Sequence, residues 1–245
     1  GVPELAALLP PLDEQVVSLE ALTHAYLHLA PASRNSALGT WIDRVRHRSS
    51  DYVPGDWEYW ALAADDVTRS GDEPDAGLFF FLLLNLVELA PRQGLFLPAG
   101  VPHAYLRGAG VEVMATSDNV LRCGLTKKHT DPAELMSIVR FDAVAPRLFD
   151  PAPLAAGRQR TFETAASEFQ VQTFDFRQGE TSAQLASGPE IVLVANREGR
   201  LVVSCEGAPS LLREGGQACF VPHGVSYAVE AVQDTTAVRV SVPYV

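Results

Sequence analysis

From Phe162 to the end, short strand-like runs recur about every ten residues, with turn residues between them. They are Phe169–Phe176, Glu190–Ala195, Arg200–Cys205, Gln217–Val221, Ser226–Ala231 and Ala237–Val242. Many short strands with turn signals between them suggest antiparallel pairing. Their regular spacing predicts a closed sandwich or barrel. The first seventy residues have a different texture. From Glu14 to Leu29 the apolar residues Val16, Val17, Leu19, Leu22, Tyr26 and Leu29 recur at steps of three and four, which predicts an amphipathic helix capped by Asp13 and ended by Pro31. Further helices are expected around Leu38–Arg48, from about Asp56 to Ser70, and over Pro132–Val139. Between these regions, Leu86–Leu89, Gly94–Leu97 and Val111–Met114 read as strands. The segment from Phe149 to Arg160, rich in Pro, Ala and Gly, reads as a linker.

Composition narrows the function classes. A net charge of -11 excludes a broad electrostatic grip on nucleic acid or on an anionic membrane, although a few cations in a cleft can still hold a small anion. The most apolar run, Leu78 to Val87, is about half the length that spans a bilayer. No secretory signal is visible at the start, and three cysteines without CxxC spacing fit a reducing compartment. A soluble, cytoplasmic chain is therefore expected. It opens on glycine, which leaves processing, truncation or engineering of that end open.

One internal echo carries chemistry. Leu95-Phe96-Leu97-Pro98-Ala99-Gly100-Val101-Pro102-His103 parallels Cys219-Phe220-Val221-Pro222-His223-Gly224-Val225-Ser226-Tyr227. In each copy a strand meets Pro-x-Gly, and a ring-bearing side chain follows three residues later, where it can point into the mouth of a barrel. The pattern resembles the second motif of the cupin superfamily, Gly-x5-Pro-x-Gly-x2-His, whose last position is a metal ligand. The second copy has its opening glycine, Gly216, but ends on Tyr227. The first ends on His103 but carries Arg92 where the glycine is expected.

A longer block is more specific. His103-Ala104-Tyr105-Leu106-Arg107-Gly108 is followed by Glu112-Val113-Met114-Ala115-Thr116-Ser117-Asp118-Asn119-Val120-Leu121-Arg122-Cys123-Gly124-Leu125-Thr126-Lys127-Lys128. It resembles the signature of the type I phosphomannose isomerases, with Cys123 and Lys127 as departures. The resemblance implies a mainly β chain with a helical region, corresponding to the carboxy-terminal two-thirds of such an enzyme. Residues 1–75 would be a helical insertion domain, 76–150 part of a first, catalytic cupin-like jelly-roll barrel, and 151–245 a second, metal-free barrel. It also implies zinc as cofactor and a zinc-assisted enediol transfer between mannose 6-phosphate and fructose 6-phosphate. The family takes three of its four zinc ligands from Gln-x-His and His-Lys-Pro-Glu motifs that do not occur here. A separate amino-terminal segment completing the site is accordingly a partner the resemblance calls for.

Within that reading His103 is the metal ligand. Tyr105, two residues on and on the same face of a strand, is either a core tyrosine or a hydroxyl that meets substrate. Glu112 lies among apolar residues, where an unpaired carboxylate is costly; it either lines the cleft as an acid–base group or pairs with a lysine. Arg122, with a planar fork, and Lys128, with a mobile point charge, are the groups to meet sugar oxygens and phosphate. Ser117, Asp118 and Asn119 build the turn that places Arg122. His24 and His28 share a helix face at zinc-binding spacing, but the residue following His24 is Ala25 where the protease signature needs glutamate, so they read as surface histidines. The rival reading is a non-catalytic cupin module that binds a sugar phosphate.

Overall fold

The computed structural model describes residues 2–9, 18–117, 120–143, 145–150, 152–153 and 159–243. Its chain contacts divide into two compact units: Gly1–Glu88, Leu97–Gly108 and Asp118–Pro146 in one; Leu89–Phe96, Ala109–Ser117 and Arg147–Val245 in the other.

The first unit is helical. It holds α1 (Pro3–Ala6), α2 (Leu19–Leu27), α3 (Pro31–Arg46), α4 (Trp57–Thr68), a 3-10 turn over Ala76–Leu82, and α5 (Pro132–Ile138). The α2 helix begins where Ser18 accepts a hydrogen bond from the Ala21 amide at 3.0 Å. The expected cap Asp13 and the residues Glu14, Val16 and Val17 lie outside the described residues. Pro31 does not end this helix, which stops at Leu27; it opens α3 instead. Proline suits the first turn because its φ is already helical and its missing N–H would have no partner there. The second helix accordingly starts seven residues before the expected Leu38. Ala37, Leu38, Trp41, Ile42 and Val45 then pack at steps of three and four against Tyr26, Ala61, Leu62, Leu78, Phe79 and Leu135.

A single carboxylate ties these helices together. Asp65 on α4 is fully buried and accepts from Arg46 on α3 and from Arg69, each at 2.9 Å. No helix among the described residues is long and apolar enough to cross a membrane.

The middle of the chain is less regular than its strand-like composition suggests. Of the expected strands, only Gly94–Leu95 (β1) forms, paired antiparallel with Leu148–Phe149 (β2). Leu86–Leu89 and Val111–Met114 are in no strand. Composition lets a segment extend, but a strand exists only where a neighbour offers its ladder.

The second unit carries the predicted sandwich. Its strands are β3 (Ala152–Pro153), β4 (Gln159–Phe162), β5 (Gln170–Phe176), β6 (Thr181–Leu185), β7 (Glu190–Val194), β8 (Arg200–Cys205), β9 (Leu211–Glu214), β10 (Ala218–Val221), β11 (Ser226–Ala231) and β12 (Thr235–Ser241). Two antiparallel sheets result, ordered β10-β7-β12-β5-β4-β3 and β6-β11-β8-β9. Their inner faces share one apolar cluster built on Phe174, Val192, Val194, Leu201, Val203 and Val229. The fold class is therefore the expected one, helices followed by antiparallel sheets. Strands β6 and β9, which the sequence did not mark, are the two edges of the smaller sheet; β6 alternates exposed and half-buried positions, whereas β9 exposes Leu211, Leu212 and Glu214. The expected linker contains β3 and the start of β4, with residues 151 and 154–158 outside the described set. All three cysteines are free thiols.

Replacing Asp65 by Ala is expected to lower stability of the helical unit by about 2 kcal/mol, since both arginines it serves can partly recover water. The measurement is urea unfolding followed by tryptophan fluorescence, because Trp41, Trp57 and Trp60 all sit in this unit. A second expectation concerns alkali. Burial pushes the phenols of Tyr26 and Tyr227 well above the ordinary value of 10.0, opposed at Tyr26 by Arg34 and helped at Tyr227 by its bond to Glu190. A raised folded-state pKa stabilises the fold fully below the unfolded value and loses that contribution as pH climbs above it. Phenolate absorbance should show both tyrosines un-ionised at about pH 11 in the folded chain and ionised once denaturant is added; Y26F and Y227F assign the two signals.

Candidate functional site

The two copies of the echo share a backbone conformation. Gly100 and Gly224, the glycines of the two Pro-x-Gly turns, have φ of 81° and 80°. The opening glycine of the second copy, Gly216, has φ of 82°, and Arg92 takes 74° at the matching place in the first. An arginine in the left-handed region is strained, and an ion pair with Asp175 at 3.0 Å holds it there. At Gly100 a side chain is excluded twice over. Its φ is glycine-like, and an added Cβ would lie 2.7 Å from the Ile138 carbonyl.

This turn delivers His103. The His103 Nδ1 lies 3.0 Å from the Val101 carbonyl oxygen, which can only accept, so Nδ1 carries the proton and Nε2 keeps its lone pair. A ring held this way presents Nε2 as a metal-ligating histidine does. Tyr105 follows with its ring edge-on to the imidazole, centroids 5.8 Å apart. It is 73% exposed, which removes the core-tyrosine reading and leaves the hydroxyl at the surface.

Arg122 and Lys128 bracket a short stretch in which they and Lys127 are exposed while residues 123–126 are half-buried. The Lys128 amide donates to the Thr126 hydroxyl at 3.1 Å, closing a tight turn. Among the described residues neither Arg122, Lys127 nor Lys128 has a salt-bridge partner. In a chain of net charge -11, a cluster of cations in one loop forms a local basin for an anion. Of the residues expected to place this turn, Asp118 and Asn119 lie outside the described set. Glu112 is exposed and belongs to the second unit. The desolvation argument that singled it out does not apply, because the strand expected to bury it does not form.

A zinc site needs about four nitrogen, oxygen or sulfur ligands. Among the described residues there is no group of three or more His, Cys, Asp or Glu able to hold a metal. His103 supplies one ligand of such a site, and these residues do not complete it.

In the second unit the position matching His103 is filled differently. Tyr227 on β11 is buried and donates to the Glu190 carboxylate at 2.7 Å. Arg239 on β12 lies 3.9 Å from the same carboxylate, hydrogen-bonds the side-chain oxygens of Gln172 and Gln184, and stacks on the Phe174 ring at 5.2 Å. These five polar side chains come from both sheets and pin one end of the sandwich. Sequence reasoning noticed Tyr227 but not Glu190, Gln172, Gln184 or Arg239; their only signal was polar side chains at inward positions of apolar strands. The cavity beside them is about 10 Å³, room for one water at most and far too small for a hexose phosphate.

Comparison with known proteins gives a consistent answer. The chain is 37% identical over 147 residues to the mannose-6-phosphate isomerase of Escherichia coli, covering 60% of this chain and 37% of that one. It is 34% identical over 175 residues to the probable mannose-6-phosphate isomerase of Dictyostelium discoideum, covering 69% and 38%. In structure it matches mannose 6-phosphate isomerase from Salmonella typhimurium bound to fructose 6-phosphate and zinc. That likeness has a TM-score of 0.71 at 26% identity, over 100% of this chain and 62% of the other. This chain is related to the mannose-6-phosphate isomerases. No family profile matches it. It spans less than two-fifths of the length of these curated mannose-6-phosphate isomerases.

Because the Tyr227 hydroxyl donates to the buried Glu190 carboxylate, Y227F should cost about 1–3 kcal/mol in the second unit. Hydrogen exchange at β7 and β11 amides reads this directly, since the unit contains no tryptophan.

Proposed function

We propose that this chain is the carboxy-terminal part of an aldose–ketose isomerase that interconverts mannose 6-phosphate and fructose 6-phosphate. The observation that carries the reading is the structural match, over 100% of this chain and 62% of the other, to an isomerase holding fructose 6-phosphate and zinc, together with 34–37% sequence identity to enzymes of that name. Arg122 and Lys128, which have no salt-bridge partner among the described residues, support it, because the substrate is a small dianion. Against the non-catalytic module stands the presented Nε2 of His103, which a metal-free binding site does not need.

The roles follow from the chemistry. Lys128 and Arg122 hold the phosphate and sugar oxygens, and Arg122 also meets the negative charge that develops as the enediolate forms. Tyr105 offers a hydroxyl to the substrate, and Glu112 is the acid–base group that moves the proton between C1 and C2. Zinc, when bound, polarises the substrate's carbonyl and hydroxyl oxygens; His103 is the ligand this chain contributes. The remaining ligands come from a separate amino-terminal segment, which also completes the first barrel that residues 76–150 begin. Residues 151–245 are a metal-free second barrel. The setting is cytoplasmic carbohydrate metabolism.

The test is fructose 6-phosphate formation from mannose 6-phosphate, with zinc supplied, by the purified chain alone and with the amino-terminal part of the Escherichia coli relative added. Activity is expected in the second case and lost on H103A. With activity in hand, R122A or K128A should lower kcat/KM roughly tenfold to a hundredfold, the worth of a charge-assisted contact. No activity in either mixture, with fructose 6-phosphate still bound, would favour the binding module.

A further inference from the structure

The helices before residue 75 have no role in the chemistry described so far, yet the turn that follows them meets the cationic stretch of the same unit at a highly constrained point. Asp75 precedes the 3-10 turn over Ala76–Leu82, and its Oδ1 accepts from two backbone amides. One is Gly77, two residues on, at 2.7 Å; the other is Leu125, fifty residues on, at 2.8 Å. The first bond caps the turn. The second reaches the middle of the segment between Arg122 and Lys128.

That segment needs holding. Leu125 has φ of 56°, a left-handed conformation that a leucine, unlike glycine or asparagine, adopts only under constraint. Its neighbour Gly124 has φ of 131° and lies backbone to backbone against Gly77. A Cβ added to Gly124 would be 2.5 Å from the Gly77 Cα, and one added to Gly77 would be 2.6 Å from the Leu125 nitrogen. Neither residue can be anything larger. Two further contacts fix the helical side of the crossing. The Tyr26 hydroxyl donates to the Ala76 carbonyl at 2.7 Å, and its fully buried ring stacks on Phe79 at 3.8 Å. Leu121, Cys123 and Leu125 pack into the helical core, while Arg122, alternating with them, is exposed.

We propose that Asp75 is a positioning residue: through the Leu125 amide it holds the Arg122–Lys128 segment in a strained conformation that aims its cations at the substrate's phosphate. The helical region is then the rigid platform of the anion site rather than a passive insertion. The identity of the ligand rests on the isomerase reading above; the positioning itself does not.

Two variants separate the roles of the carboxylate. Serine caps a turn as aspartate does but is too short to reach Leu125, so D75S keeps the first bond and loses the second. Asparagine keeps an oxygen at the same reach, so D75N preserves both. In the wild-type chain the Leu125 amide should exchange with solvent as slowly as amides of the helical core. In D75S exchange at residues 121–125 should rise at least tenfold, and fructose 6-phosphate, titrated by calorimetry or NMR, should bind at least tenfold more weakly. D75N should stay within about threefold of wild type on both measures. A purely structural role predicts instead that binding follows the tryptophan-reported stability of each variant. A Leu125 amide that exchanges as fast as the exposed 127–130 amides in wild type overturns the proposal, whatever the variants do, including a D75S that fails to fold. So does a D75S that binds like wild type. If the wild-type chain binds no fructose 6-phosphate, the isomerase reading is what fails, and the exchange data alone decide the positioning role.

Discussion

Backbone hydrogen bonds have to be made somewhere, and how each part of this chain makes them governs everything else about it. In the second unit the answer is lateral. Each strand of the two sheets finds an antiparallel neighbour, and the inner faces then bury Phe174, Val192, Leu201 and Val229 against one another. In the helical unit the answer is local, within turns, and tertiary order comes from an apolar face around Trp41 and Tyr26 with Asp65 fastening two arginines. Between residues 84 and 150 neither answer is fully available. A two-residue ladder and one short helix are the regular elements described there. The proposed function accounts for this, since a barrel shared with another segment leaves strand-forming sequence waiting for its partners.

The same constraint shows why the candidate site is built from turns. His103 hangs from a Pro-x-Gly turn and is oriented by a carbonyl two residues back. The cations at 122 and 128 hang from a segment that passes through φ of 131° and 56° at consecutive residues. Loops carry function when something rigid holds them. Here the holding groups are one carboxylate oxygen and a pair of glycines too close for any side chain.

The two copies of the Pro-x-Gly echo invite comparison of their corresponding places. The turn geometry is kept in both copies, down to matched positive φ at four residues, yet the chemistry at the last position differs. Where His103 offers a lone pair, Tyr227 donates a hydrogen bond to Glu190, and Arg239 supplies the positive charge beside that carboxylate. A protonated phenol, a guanidinium and two amides join the sheets at a place too small for a sugar. The scaffold thus has a fixed turn and an interchangeable occupant.

Sequence alone determined the fold class, most strands of the second unit and the existence of four of the helices, and it marked the histidine and cations of the proposed site. Those features are written in local pattern: period, turn residues, and a motif block whose residue types are distinctive. It did not determine which extended segments become strands, because Val111–Met114 has the right composition and no ladder. The role of Pro31 was likewise ambiguous, since proline both follows helices and opens them. Only the tertiary structure brought Asp75 to Leu125, exposed Tyr105 and Glu112, and assembled Glu190, Tyr227 and Arg239 from strands far apart in sequence. Such contacts depend on where the backbone returns, and no window of neighbouring residues contains that information.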